Sequence, residues 1–142
     1  MKHNADEAVR RFQNIMNLVE EIHCENGLVV EAWDNSRSIA DDTTQVRLVI
    51  KTKVDIKKEY FSTPEQYDQV LKVFGPVIYF EYQKDRTFVS NKDKEDVFTE
   101  LLEYFRRNSL PYIARPQFPA RFAMSKYAEI QKRFYKYRHL LQ

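Results

Sequence analysis

The chain has two glycines among its 142 residues. A Gly-rich phosphate loop or a dinucleotide-binding fingerprint needs several glycines within a few positions, so both are excluded. One cysteine, Cys24, leaves no partner for an internal disulfide and too few thiolates for a structural zinc site. The three histidines, His3, His23 and His139, lie far apart and show no metal-ligand spacing. His23 and Cys24 adjoin, but neighbours on a helix point about 100° apart and do not converge on one ion or proton. They read as a helix-end pair with a small buried thiol. No stretch approaches the roughly 18–20 apolar residues that span a bilayer, and "MKHNADEAVRRFQ" has no apolar signal-peptide centre. These absences predict a cytoplasmic protein with no cofactor, no metal and no membrane partner.

What is present suits a folded domain. Hydrophobic residues make up 43% and charged residues 31%, and a chain of this length buries about 68–70% of its unfolded surface. A single domain over 1–142 is expected. The use of Lys, Asn, Tyr and Phe is of a kind that an AT-rich bacterial or phage genome favours. Charge is unevenly placed. The net +2 divides into −4 over residues 1–110 and +6 over 111–142, where seven Lys and Arg face one Glu. A weakly acidic body with a basic C-terminal segment points to an acidic partner, or to the segment lying on the body.

Periodicity predicts an α+β fold: an antiparallel sheet of about four strands, helices packed on one face, and a long C-terminal helix. Asn4 with Glu7 has capping-box spacing. Ala8, Phe12, Ile15, Met16, Val19 and Ile22 then recur at helical intervals up to Gly27, predicting a first helix. "LVVEAWD" (28–34) reads as a strand, and "NSRSIADDTT" (35–44) as a loop. In "QVRLVIKTKVDIK" (45–57), Val46, Leu48, Ile50, Val54 and Ile56 share one face with Thr52, while Arg47, Lys51, Lys53, Asp55 and Lys57 share the other. A helix is predicted over 62–75, a hairpin over 77–90 turning at "KDR", and a helix over 91–108 with acidic early turns and Arg106 and Arg107 at its end. Pro111, Pro116 and Pro119 predict an extended connector over 110–120.

Catalytic motifs are not distinctive. A metal-dependent nuclease would need converging carboxylates; Glu31, Asp34, Asp41, Asp42 and Glu81, with Lys84 nearby, are candidates whose spacing matches no known motif. A small nuclease therefore stands as a secondary alternative, and no catalytic residue is assigned.

The segment from Ala120 to Leu141 reads as one helix of about 33 Å. Ala123, Tyr127, Ile130, Phe134, Tyr137 and Leu141 fall at intervals of 4, 3, 4, 3 and 4, a narrow apolar stripe. Opposite it lie Lys132, Arg133 and Lys136, with Tyr135 at the edge of the basic face and Arg138 beside the stripe. The stripe packs on this protein's own body, on a partner or on its own copy. The leading expectation is a non-catalytic binding or regulatory protein acting through protein–protein contacts, as a homodimer or with another chain, with Tyr127, Ile130, Phe134, Tyr137 and Leu141 as the interface. The alternative is a nucleic-acid-binding protein whose contacts to phosphate or another acidic partner come from Arg115, Arg121, Lys126, Lys132, Arg133, Tyr135, Lys136 and Arg138, aided by Lys51, Lys53 and Lys57 if they share a side with the helix.

Overall fold

The computed structural model describes residues 16–142. Its organising strand is β4 (Thr43–Asp55), where the alternation of the sequence becomes a fully buried face and a more exposed one, on which Val49 alone is buried. Val46, Leu48, Ile50, Thr52 and Val54 are all buried on one side. Along one edge of β4 runs β2 (Val29–Asp34), and the same edge continues with β3 (Arg37–Ala40). Asp34 lies opposite Leu48 and Arg37 opposite Gln45, so the register is unchanged across the gap. At the gap the Asn35 amide donates to the Arg47 carbonyl at 2.9 Å. The Arg47 amide donates to Ser36 Oγ at 3.0 Å. β2 and β3 are thus one interrupted rank. On its outer side β2 pairs with β1 (Asn17–His23), and on the far edge of β4 lies β5 (Val77–Ser90). Five antiparallel strands fill four ranks, as the α+β reading anticipated.

Several local expectations are corrected. Of the predicted first helix, residues 1–15 lie outside the described residues, and Asn17–His23 is a strand. A register shift between Leu18 and Glu20 disrupts the two-residue alternation that would have revealed it. Val19 and Ile22 then fall at a spacing that a helix also explains. Gly27, at φ +88°, makes the tight β1–β2 turn and does not end a helix. His23 ends that strand, and Cys24 opens the turn. The loop assigned to 35–44 contains β3 and an Asp41–Asp42 turn; all four β3 residues are exposed, so no hydrophobic pattern announced the strand. The hairpin assigned to 77–90 is one strand of 14 residues. Its "KDR" does not turn: Lys84, Asp85 and Arg86 stay in register opposite Leu48, Arg47 and Val46 of β4. Asp85 also accepts from the Arg47 guanidinium, through Nε at 3.0 Å and Nη2 at 3.1 Å.

The helices pack on the buried face of the sheet. After a 3-10 turn (Lys58–Tyr60), α1 (Pro64–Phe74) starts on a Thr63 cap whose Oγ1 accepts from the Gln66 amide, with Pro64 in the first turn. Gly75, at φ +83°, closes it. α2 (Lys94–Asn108) buries Phe98, Leu101, Leu102 and Phe105. Its Arg106 forms an ion pair with Glu20 of β1, tying the helix to the outer strand of the sheet.

The extended connector is also corrected. Pro111 and Pro119 stand in the first turns of α3 (Leu110–Ile113) and α4 (Phe118–Lys132). A helix's first amides have no internal acceptor, so proline starts these helices at no hydrogen-bonding cost. Phe118 and Phe122 of α4 meet Phe80 of β5 edge-to-face at 5.5 and 5.7 Å. The single helix expected over 120–141 ends at Lys132. Arg133, at φ −122° and ψ 41°, leaves the helical region, and α5 (Phe134–Leu141) begins at a new angle. No proline or glycine causes the break. The bend brings the Tyr137 ring to 5.8 Å from Phe74 of α1 and its hydroxyl to 3.1 Å from the Glu129 carboxylate, contacts that stabilise the turned chain.

Candidate nucleic-acid interface

The bend at Arg133 divides the residues of the predicted stripe. Ile130 is completely buried and Tyr137 nearly so, both in the protein's own core. Tyr127 and Leu141 are partly buried against that core. Only Phe134 turns outward, 54% exposed. Most of the apolar surface proposed for a partner is therefore occupied from within.

The cationic residues are placed differently. Lys126 is enclosed: its Nζ lies 5.2 Å from the Phe74 ring centre and 5.3 Å from that of Phe122, and 3.7 Å from Glu129. These are structural contacts, cation–π and ionic, that bind α4 to α1. Arg115, Arg121, Lys132, Arg133, Lys136 and Arg138 are exposed. Among the described residues none of them has a carboxylate within 4.0 Å. Arg115 lies over the Tyr112 ring at 5.9 Å and Lys136 over Tyr137 at 5.3 Å, leaving their charges outward. Tyr135 is 76% exposed, next to Phe134 in sequence and flanked by Arg133 and Lys136. Glu129 is the one acid of residues 111–142, and both its oxygens are engaged, by Lys126 and by the Tyr137 hydroxyl. The α4–α5 surface thus offers cations and two open aromatic rings, with its single carboxylate occupied.

The sheet lysines do not extend this surface. Lys51 and Lys53 point to the face of β4 opposite the helices, and Lys51 stands between Glu31 of β2 and Glu81 of β5 in the strand register. Lys57 Nζ lies 5.9 Å from the Tyr60 ring centre.

The carboxylates considered for metal-assisted chemistry are dispersed. Glu31 and Glu81 occupy the open face, Asp41 and Asp42 the β3–β4 turn, and Asp34 Oδ1 accepts from the Ser36 amide at 2.9 Å. Among the described residues no three His, Cys, Asp or Glu side chains form a metal-binding group. A polar groove between β2–β3 and the start of α2 includes Asp34, Ser36 and Asn91. Its groups bond to one another: Thr44 Oγ1 donates to Asn91 Oδ1 at 2.6 Å, and Asn91 Nδ2 donates to the Asp41 carbonyl at 3.1 Å. Burial raises the pKa of the Cys24 thiol above its ordinary value, which opposes the thiolate a nucleophile needs. No described helix is long and apolar enough to cross a membrane.

Two features could not be found from the sequence. The turn assigned to "KDR" put Lys84 and Arg86 at a loop tip, whereas the continuous strand aligns them on its helix-facing side. Phe88, in a bulge of β5 where Thr87 and Phe88 together face Gln45 of β4, has φ +57° and is 81% exposed. No residue pattern signals a non-glycine residue with that backbone.

The chain matches no family model, no curated protein and no solved structure.

Proposed function

We propose that this chain is a non-catalytic binding protein for single-stranded nucleic acid, held by the α4–α5 surface. The observation that supports this reading is that α4 and α5 carry exposed cations together with exposed rings: Arg121, Lys132, Arg133, Lys136 and Arg138, none with a carboxylate within 4.0 Å among the described residues, and Phe134 and Tyr135. Cations follow a phosphate backbone, and aromatic rings stack on bases that a duplex would keep paired. Contact with another protein, or with a second copy, has less support, because Ile130 and Tyr137 of the proposed interface are in this chain's own core. The lone cysteine, which no internal disulfide uses, suits a reducing intracellular compartment.

Fluorescence anisotropy with labelled oligo-U, oligo-dT and a duplex tests the reading. Single strands should bind more tightly than the duplex. Log K should fall with log salt by about 0.7 per phosphate neutralised. Changing Lys132, Arg133 and Lys136 together to Glu should reduce affinity at least tenfold and flatten that slope by about 2. Tyr135→Ala should cost about 1–3 kcal/mol of binding. Unchanged affinity in a folded triple variant would rule the surface out.

A further inference from the structure

The helix-facing side of β5 changes character along its length. Ile78, Phe80 and Tyr82 join the core, and the next two residues on that side are Lys84 and Arg86. They stand opposite Leu48 and Val46 of β4, where a sheet covered by helices would carry apolar side chains. The groove that accommodates them lies between β5 and α2 and has a volume of about 390 Å³. From α2 it receives Glu100, Tyr104 and Arg107, which fall on one helical face, above an apolar floor of Val97 and Leu101.

Three cations and one carboxylate line this groove. Among the described residues neither Lys84, Arg86 nor Arg107 has a carboxylate within 4.0 Å. The hydrogen bond of the Arg86 side chain is local, to the Asp85 carbonyl at 3.0 Å. Tyr104 is 51% exposed at the groove's edge. Two cations from a strand and one from a helix line the same groove, and the packed elements that carry them set their backbone positions, so their exposed side chains can close together on an anion. The ring and apolar floor beside it suit a flat, weakly polar group. The volume falls within the range of about 300–1,000 Å³ that encloses small ligands.

We infer that this groove binds a nucleoside phosphate unit, with phosphate on Lys84, Arg86 and Arg107 and the base against Tyr104. Glu100 accepts a hydrogen bond from the ligand's amino or hydroxyl groups. The same chemistry arises in a free nucleotide and in one residue of a strand. The site is separate from the α4–α5 surface, and either can fail without the other.

Amide NMR spectra of the full chain, titrated with adenosine monophosphate, adenosine, inorganic phosphate and an eight-residue oligo-A, test the inference. Adenosine monophosphate should shift residues 84, 86, 97, 101, 104 and 107 saturably. Phosphate should shift fewer of them at higher concentration, and adenosine none. If the oligonucleotide alone produces the shifts, the source is a strand and the assigned chemistry stands. Lys84→Gln with Arg107→Gln should weaken binding at least tenfold, and Tyr104→Ala should weaken nucleotide binding more than phosphate binding. The Lys132, Arg133 and Lys136 to Glu variant should bind the mononucleotide unchanged, whatever becomes of its strand affinity. The inference is overturned if no probe shifts these residues, or if binding survives in the folded Lys84→Gln, Arg107→Gln protein.

Discussion

Ile130 and Phe134 are four residues apart on the same predicted stripe, yet one is fully buried and the other more than half exposed. Truncating each to alanine measures whether the break at Arg133 is real in solution. Ile130→Ala removes three buried carbons from the core. Such a change costs about 2–5 kcal/mol, the transfer of the lost groups plus the cavity they leave. With a urea dependence of about 1–3 kcal/mol/M, a loss near 3 kcal/mol lowers the midpoint by about 1–2 M at an intermediate slope. It lowers Tm by roughly 6–12 °C at about 2–4 °C per kcal/mol. Phe134→Ala should cost less than about 1 kcal/mol, because nothing in the core closes on that ring. Urea titration followed by circular dichroism, with both variants at matched concentration, is sufficient. Equal losses from the two variants would mean that the stripe runs unbroken into a core or partner, and the self-packed reading would fall. A Phe134→Ala loss that grows with protein concentration would instead reveal a dimer using that ring.

Phe88 supplies an independent check on β5. Its left-handed backbone costs an L-residue about 1–2 kcal/mol, and its exposed ring returns little of that. Phe88→Gly should therefore leave Tm unchanged or raise it, by up to about 1 kcal/mol of stability after glycine's own entropy cost, whereas Phe88→Val should lower it. A clear loss on Phe88→Gly would mean that the ring makes a contact of its own. For Cys24 the sign follows from burial. Its raised pKa means that the fold favours the neutral thiol, so this contribution to stability is complete below the unfolded thiol's pKa and disappears as pH rises through the folded value. Alkylation at neutral pH should accordingly run slower than for an unfolded control peptide, and equal rates would contradict the burial.

The parts of the fold that were legible in the sequence are those where local pattern and tertiary environment agree. β4 announces itself because a strand more deeply covered on one side tends to alternate, and Val46, Leu48, Ile50, Thr52 and Val54 keep the two-residue period, with Val49 the one apolar residue on the other face. α1 is readable for a different reason: Thr63, Pro64 and Gly75 each satisfy a requirement of a helix end that depends on no distant contact. The same logic failed where the signal was ambiguous. Proline marks where a helix cannot continue, but it equally marks where one can start, and around Pro111 and Pro119 the second meaning held.

The candidate surface divides along the same line. Its cationic excess was plain from composition, and so was the regular apolar stripe behind it. Which stripe residues stay inside was not, because no proline or glycine marks Arg133, and the contacts that hold the turned chain, of Tyr137 with Phe74 and Glu129, are tertiary. The removal of Lys126 from the open surface, through two aromatic rings and one carboxylate, likewise depends on residues as distant as Phe74. The β5–α2 groove depended on tertiary structure even more. Lys84 and Arg86 share a face because the chain stays paired with β4 through these positions, opposite Leu48 and Val46, with the Arg47–Asp85 pair between them. The sequence alone determined the fold class, the alternation of β4, the ends of α1 and the excess of positive charge, all set by interactions within a few residues. The tertiary structure decided which charges remain free, which rings face outward and where cations converge, because those outcomes follow from contacts between segments far apart in the chain.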